Sequence, residues 1–154
     1  MFKLPYDPTK PVTVKASIQI NKPVEEVFHF VGDNFFDNYP KWALEVTEFE
    51  PLDGEKVFIG AKARQVRKDQ GQEIHSIFEI TDFERFKKLG FKGITHPYRD
   101  TYLFESGNLK DSTLLSFIFE LLELELFMRP FEKLIRSAIQ EGAENTVENI
   151  KNLL

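Results

Sequence analysis

Apolar and polar residues alternate along residues 12–20, VTVKASIQI. Val12, Val14, Ala16, Ile18 and Ile20 fall on one face, and Thr13, Lys15, Ser17 and Gln19 fall on the other. A period of two marks a half-buried strand. The period then changes. Asn21-Lys22-Pro23 offers a helix start, after which Val24, Val27, Phe28 and Val31 recur at helical spacing. Glu25 and Glu26 stand where the helix dipole favours anions. Gly32-Asp33-Asn34 ends this helix, and a second short one is expected over residues 35–39, stopped by Pro40.

Turn residues then divide the chain into six further strands. The first, 44–50, closes at Pro51 and Asp53-Gly54, and the second, 56–67, carries Gly60 at a bend. After the Asp69-Gln70-Gly71 turn come 72–82, with Ile74, Ser76, Phe78 and Ile80 on one face, and then 83–92. The last two are 98–105 and 112–124; in the latter Thr113, Leu115, Phe117, Phe119 and Leu121 share a face. Residues 128–153 return to helical spacing, with a broad apolar stripe through Phe131, Leu134, Ile135, Ala138, Ile139, Val147 and Ile150. Gly142 and Ala143 on that stripe allow close approach to a neighbour. The order is α+β: one strand, two short helices, six strands and a long helix, the only element large enough to cover the antiparallel sheet. The whole length, 154 residues, fits one domain, 1–154.

Composition changes this picture in three respects. Sixteen Phe against one Trp and four Tyr make the interior ring-rich, and rigid rings are hard to pack without leaving space. No cysteine is present, so disulfide and thiol chemistry are excluded and a reducing compartment is favoured. The N-terminal MFKLPYDPTKP has no apolar run of signal-peptide length and is broken by Pro5, Pro8 and Pro11; the longest apolar-rich stretch, 114–128, is interrupted by Glu120, Glu123 and Glu125. A soluble cytoplasmic protein with no integral membrane association is expected. The net charge of −5 and the scatter of its basic residues argue against a nucleic-acid partner.

Four segments carry a resemblance. They are the strand followed by Asn21-Lys22-Pro23-Val24-Glu25-Glu26-Val27-Phe28, then Tyr39-Pro40-Lys41-Trp42, then Gly60 opening a strand, then Phe78-Glu79-Ile80-Thr81-Asp82-Phe83-Glu84. In this order and spacing, over nearly the whole chain, they resemble the START-like (SRPBCC) superfamily, and within it the polyketide cyclase/dehydrase and lipid-transport group. A Gly-Thr-Arg typical of the last strand is replaced here by Asp111-Ser112-Thr113. The resemblance implies a helix-grip fold, a seven-stranded curved antiparallel sheet wrapped around a long C-terminal helix. It also implies a cavity between sheet and helix for a small hydrophobic molecule such as a lipid or polyketide. Relatives include carriers, cyclases, dehydratases and interaction modules, so fold alone does not select a chemistry.

The residues point to binding more than to catalysis. Taking the apolar face of each strand as inward, Gln65 and Arg67 share the face of Ala61 and Ala63, and Tyr102 shares that of Phe104. Candidate ligand contacts are Trp42 at the entrance, Gln65, Arg67, Phe78, Tyr102, Phe117 and Phe119 from the sheet, and Phe131, Ile135 and Ala138 from the helix. His75 falls on the outer face with Glu73 and Glu79, His29 on the outside of the first helix, and His96 in a loop. No pair has metal-ligand spacing, no Ser/His/Asp set can be assembled, and no cofactor motif occurs. Catalytic residues are therefore not assigned. Two alternatives stand beside a binder or carrier. One is a cyclase- or dehydratase-like enzyme in which Gln65, Arg67 or Tyr102 polarises a carbonyl. The other is a protein-interaction module with an exposed apolar patch.

Overall fold

The alternation of VTVKASIQI survives folding: β1 (Val12–Ile20) buries Val12, Val14, Ala16 and Ile20 and exposes Thr13, Lys15 and Ser17. The computed structural model describes residues 10–69 and 71–154. The N-terminal reading of residues 1–9, and Gln70 of the expected turn, lie outside the described residues. After β1 the chain forms α1 (Val24–Phe28), a π-helical turn (His29–Asp33) and α2 (Phe35–Trp42). Strands β2 (Val46–Pro51), β3 (Lys62–Asp69), β4 (Gln72–Glu84), β5 (Lys88–Gly93), β6 (Tyr98–Ser106) and β7 (Thr113–Leu121) follow. A 3-10 turn (Leu126–Phe131) then leads into α3 (Glu132–Leu153).

All strands join one antiparallel sheet in the order β1-β7-β6-β5-β4-β3-β2. The curved sheet grips α3, which lies across β1 and β7, in a helix-grip fold. Two side chains of α3 also blunt the free edge of β1: Arg136 Nη1 donates to the Thr13 carbonyl at 2.8 Å and Gln140 Nε2 to that of Lys15 at 3.0 Å. Unpaired edge carbonyls are thereby satisfied by the same helix that covers the face.

Phe35, Phe36, Phe49, Phe78 and Phe91 gather with Tyr39 and Trp42 at the α2 end of the inner face, while Phe28, Phe83, Phe86 and Phe104 cluster at α1. Phe35, Tyr39 and Trp42 recur at i, i+4 and i+7, so one side of α2 delivers all three rings to the sheet. Phe35 lies 4.9 Å from the Tyr39 ring and 5.4 Å from Phe91, and Phe78 stacks on Phe91 at 4.2 Å. Each fully buried ring contributes on the order of 2–3 kcal/mol. The cluster fills that half of the grip and leaves the α3 half for a cavity.

Several boundaries differ from the sequence reading. Strand β4 runs to Glu84, past the expected end at 82, with a bulge between Ile80 and Asp82. The chain reverses at Phe86, which adopts a left-handed φ of 62° without help from Gly or Pro, so β5 starts at Lys88. Residues 56–61, expected in β3, form a loop instead. It turns at Gly60 with a φ of 98°, and the Gly60 N–H donates to the Ile80 carbonyl. Helix α2 continues through Pro40 to Trp42, because the Ala43 N–H still closes on the Tyr39 carbonyl beyond the missing donor. At the other end α3 begins at Glu132 rather than 128. Pro130 disfavours helical geometry at Arg129, and the Arg129 guanidinium is buried, donating to the Lys10 carbonyl and to Glu132, each at 2.6 Å.

Gly93, which ends β5, makes room for β6. A Cβ there would meet the Tyr98 ring at 2.5 Å and press on the His96 carbonyl. Gly93→Ala is therefore expected to cost about 2 kcal/mol. Calorimetry should show Tm lower by roughly 4–8 °C; an unchanged Tm would mean that the turn yields freely.

Candidate ligand cavity

Between α3 and the inner face of the sheet lies a cavity of about 300 Å³. Alternation explains which strand residues reach it. Arg67 comes from β3, Asp100 and Tyr102 from β6, and Phe117 and Phe119 from β7, each pair two residues apart on an inward face. Helix α2 supplies Tyr39 and Trp42, and the chain leaving it supplies Ala43 and Glu45. Across from them α3 offers Ala138, Ile139, Gly142, Ala143 and Thr146, of which the glycine and the two alanines are small enough to leave the space open. Asn149 Nδ2 donates to the Trp42 carbonyl at 3.1 Å and holds α3 to the end of α2.

A larger and shallower depression of about 520 Å³ lies on the outer face of the sheet. It is bordered by Lys88 with Asp82 and Arg99 with Glu120, both ion pairs exposed to water. Its floor lacks the apolar enclosure that a small-molecule site needs, so the inner cavity is the better candidate.

A polar network lies behind one wall. The Tyr39 hydroxyl donates to Gln65 Oε1 at 2.9 Å, and Gln65 Nε2 donates to the Tyr98 hydroxyl at 3.2 Å and to Ser76 Oγ at 3.4 Å. Every polar atom of the Gln65 amide is thus engaged within the wall. Trp42 Nε1 donates to the Tyr102 hydroxyl at 3.2 Å, whose own proton has no acceptor among the described residues. Burial, with the charge of Asp100 adding to it, pushes Tyr98 up to about 12 and holds Tyr102 well above its usual range. Tyr39 is also raised, by burial first, against the lowering influence of Arg67. All three phenols are neutral donors at physiological pH.

Asp100 is the anomaly. It is 4% exposed, and its Oδ1 has no hydrogen-bond partner among the described residues. Burial drives its pKa up to about 7, against the lowering charge of Arg67. Arg67 does not close on it; its Nη2 pairs with Glu45 Oε1 at 2.5 Å. A buried carboxyl without a partner is costly, and such groups concentrate at functional sites.

Of the ten contacts expected from sequence, Trp42, Arg67, Tyr102, Phe117, Phe119 and Ala138 line this cavity. Trp42 is part of the buried wall rather than the entrance. Gln65 and Phe78 stand behind that wall, one locked in the hydrogen-bond network and the other under Phe35 and Phe91. Phe131 belongs to the 3-10 turn and is 53% exposed, because α3 starts only after it. Ile135 is half-buried and lies outside the lining. The three histidines are remote from the cavity: His75 and His29 are exposed beside Glu73 and Asp33, and His96 contacts Thr95.

The sequence from residue 11 to 154 matches the family described as polyketide cyclase / dehydrase and lipid transport. The chain belongs to that family. No curated protein matches it. Solved structures with the same fold include a protein of Thermus thermophilus, with a TM-score of 0.73 at 19% identity over 91% of this chain and 94% of that one. A START superfamily protein from Mycobacterium smegmatis aligns with a TM-score of 0.65 at 17% identity over 92% and 99% of the two chains. The major latex-like protein 151 of Panax ginseng aligns with 0.64 at 12% over 92% and 97%. In this member of the polyketide cyclase / dehydrase and lipid transport family, the polar cavity residues absent from the expected contacts are Tyr39, Glu45, Asp69, Asp100 and Thr146, and the apolar ones are Ala43, Ile139, Gly142 and Ala143. For Asp100 the signal was present, since it alternates with Tyr98 and Tyr102.

Proposed function

We propose that the protein binds a small, mainly apolar molecule bearing one polar group, in the cavity between the sheet and α3. The observation that carries this reading is the pairing of an aromatic enclosure with one unsatisfied buried carboxyl. Such a site buries most of an apolar body and orients it through few polar contacts. A volume of about 300 Å³ lies at the lower end for ligand sites. It equals the space of about ten water molecules, which suits a compact one- or two-ring molecule better than a long-chain lipid.

The single Trp of the chain, Trp42, stands in the cavity wall and reports on occupancy. Titration with neutral one- and two-ring alcohols and ketones should give a saturable change in its emission, with a parallel rise in Tm. If no member of such a panel changes either signal, the binding reading is wrong.

A second reading, general acid–base chemistry of the cyclase type, has one observation in its favour. Asp100, with a pKa of about 7, can take up or release a proton at neutral pH beside the uncommitted Tyr102 hydroxyl. The Gln65 amide is not free to polarise a carbonyl, since both its oxygen and its nitrogen are engaged, whereas Arg67 pairs with Glu45 through one nitrogen. Turnover of a polyketide-like ketone that Asp100→Asn abolishes would establish this reading; turnover unaffected by that change would exclude Asp100 from it.

A further inference from the structure

The charges around the cavity narrow the class of molecule that it takes, on the reading that it is a binding site. Three acidic side chains, Glu45, Asp69 and Asp100, line it against one cation, Arg67. That guanidinium is already paired with Glu45. An anionic head such as a fatty-acid carboxylate would meet Asp69 and Asp100, neither paired with a cation among the described residues, and a guanidinium whose charge Glu45 already offsets. Asp69 is exposed, but beside the buried Asp100 carboxylate a like charge would cost several kcal/mol.

A cationic head meets the opposite situation. Asp100 is buried, lines the cavity and lacks a hydrogen-bond partner on Oδ1. A protonated amine would donate to it and neutralise the charge that burial disfavours. The remaining wall contains Tyr39, Trp42, Tyr102, Phe117 and Phe119, and aromatic rings attract a desolvated cation.

We infer that the cavity selects an arylalkyl amine, with the ammonium on Asp100 and the apolar body against the aromatic wall and α3. Binding then depends on the ionised form of Asp100. The charged and titratable groups around that carboxyl are Tyr39 from α2, Glu45 after it, Arg67 and Asp69 from β3, and Tyr98 and Tyr102 from β6. The cavity-lining residues of α3 contribute none. The phenols stay neutral below about pH 9, so in the neutral range Asp100 is the group that changes charge.

The test uses three probes of one shape: phenylbutylamine, phenylbutanol and phenylbutyrate, titrated at about pH 8 and followed by Trp42 emission and calorimetry. The amine is expected to bind about tenfold more tightly than the alcohol, and the carboxylate about tenfold less tightly. Lowering the pH to about 5 should remove the preference for the amine, because Asp100 becomes neutral while the ammonium, with a pKa of about 10, keeps its charge. In Asp100→Asn the ratio of amine to alcohol affinity should collapse towards one. If that variant fails to fold, the pH dependence of the parent protein decides alone. Alcohol or carboxylate binding as tightly as the amine, or a preference for the amine independent of pH, would overturn the inference and leave the cavity as a binding site. Binding of none of the three would overturn both.

Discussion

Gly142→Leu is expected to close the cavity without weakening the fold. Gly142 lies on the cavity side of α3, and a Cβ built there meets no heavy atom within 4 Å. A leucine can therefore extend into the open space rather than displace a neighbour. Helix propensity favours the change by about 0.8 kcal/mol, since glycine inside a helix wastes backbone entropy. Tm should rise by roughly 2–3 °C, while the affinity for an apolar probe falls by more than about tenfold because its space is taken. Few substitutions separate binding from stability in this way. Filling the site of a bound molecule normally costs packing, and here the backbone supplies the vacancy. Unchanged affinity in a stable Gly142→Leu protein would place the bound molecule elsewhere.

The second large effect is on the pH dependence of stability. In the unfolded chain Asp100 titrates at about 3.9, and in the folded protein burial moves it to about 7. Between those values the folded state holds a proton that the unfolded state has released. Stability from this group is therefore greatest below about pH 4 and declines as pH rises through about 7, beyond which it is flat. The full decline corresponds to about 4 kcal/mol. Asp100→Asn removes the titration and keeps the shape. Measured by urea unfolding across this range, the variant should gain on the parent by up to about 4 kcal/mol between acid and neutral pH. Parallel stability curves for the two proteins would show that water or a fixed partner solvates the carboxylate.

These two residues also show what could be read from sequence. The alternation of β1 and β7 and the inward parity of Arg67, Tyr102, Phe117 and Phe119 are local patterns that carried through to the fold, and the helical spacing of α3 did so over Ala143, Val147 and Ile150, whereas Leu134 on the expected stripe is exposed. The same parity places Asp100 between Tyr98 and Tyr102, yet a charged residue on an inward face is ordinarily taken as an edge or turn feature. Its isolation from any partner depends on Arg67 choosing Glu45, a contact between segments 22 residues apart. The left-handed turn at Phe86 carries no glycine to mark it. The burial of Arg129 depends on the Lys10 carbonyl, 119 residues away, which no local pattern encodes. Phe78 and Gln65 were correctly directed inward, but the ring cluster delivered by α2 covers them. Orientation is thus legible from alternation, whereas the edge of a cavity is set by which element arrives on top.

The most direct measurement is native mass spectrometry of the parent and Gly142→Leu proteins, each purified without organic solvent, followed by denaturing extraction. The predicted result is a near-stoichiometric small adduct on the parent that yields a compact, mainly apolar compound on extraction and is absent from Gly142→Leu. An adduct carried equally by both proteins, or no adduct on the parent even after incubation with apolar probes, would contradict binding in the cavity beneath α3.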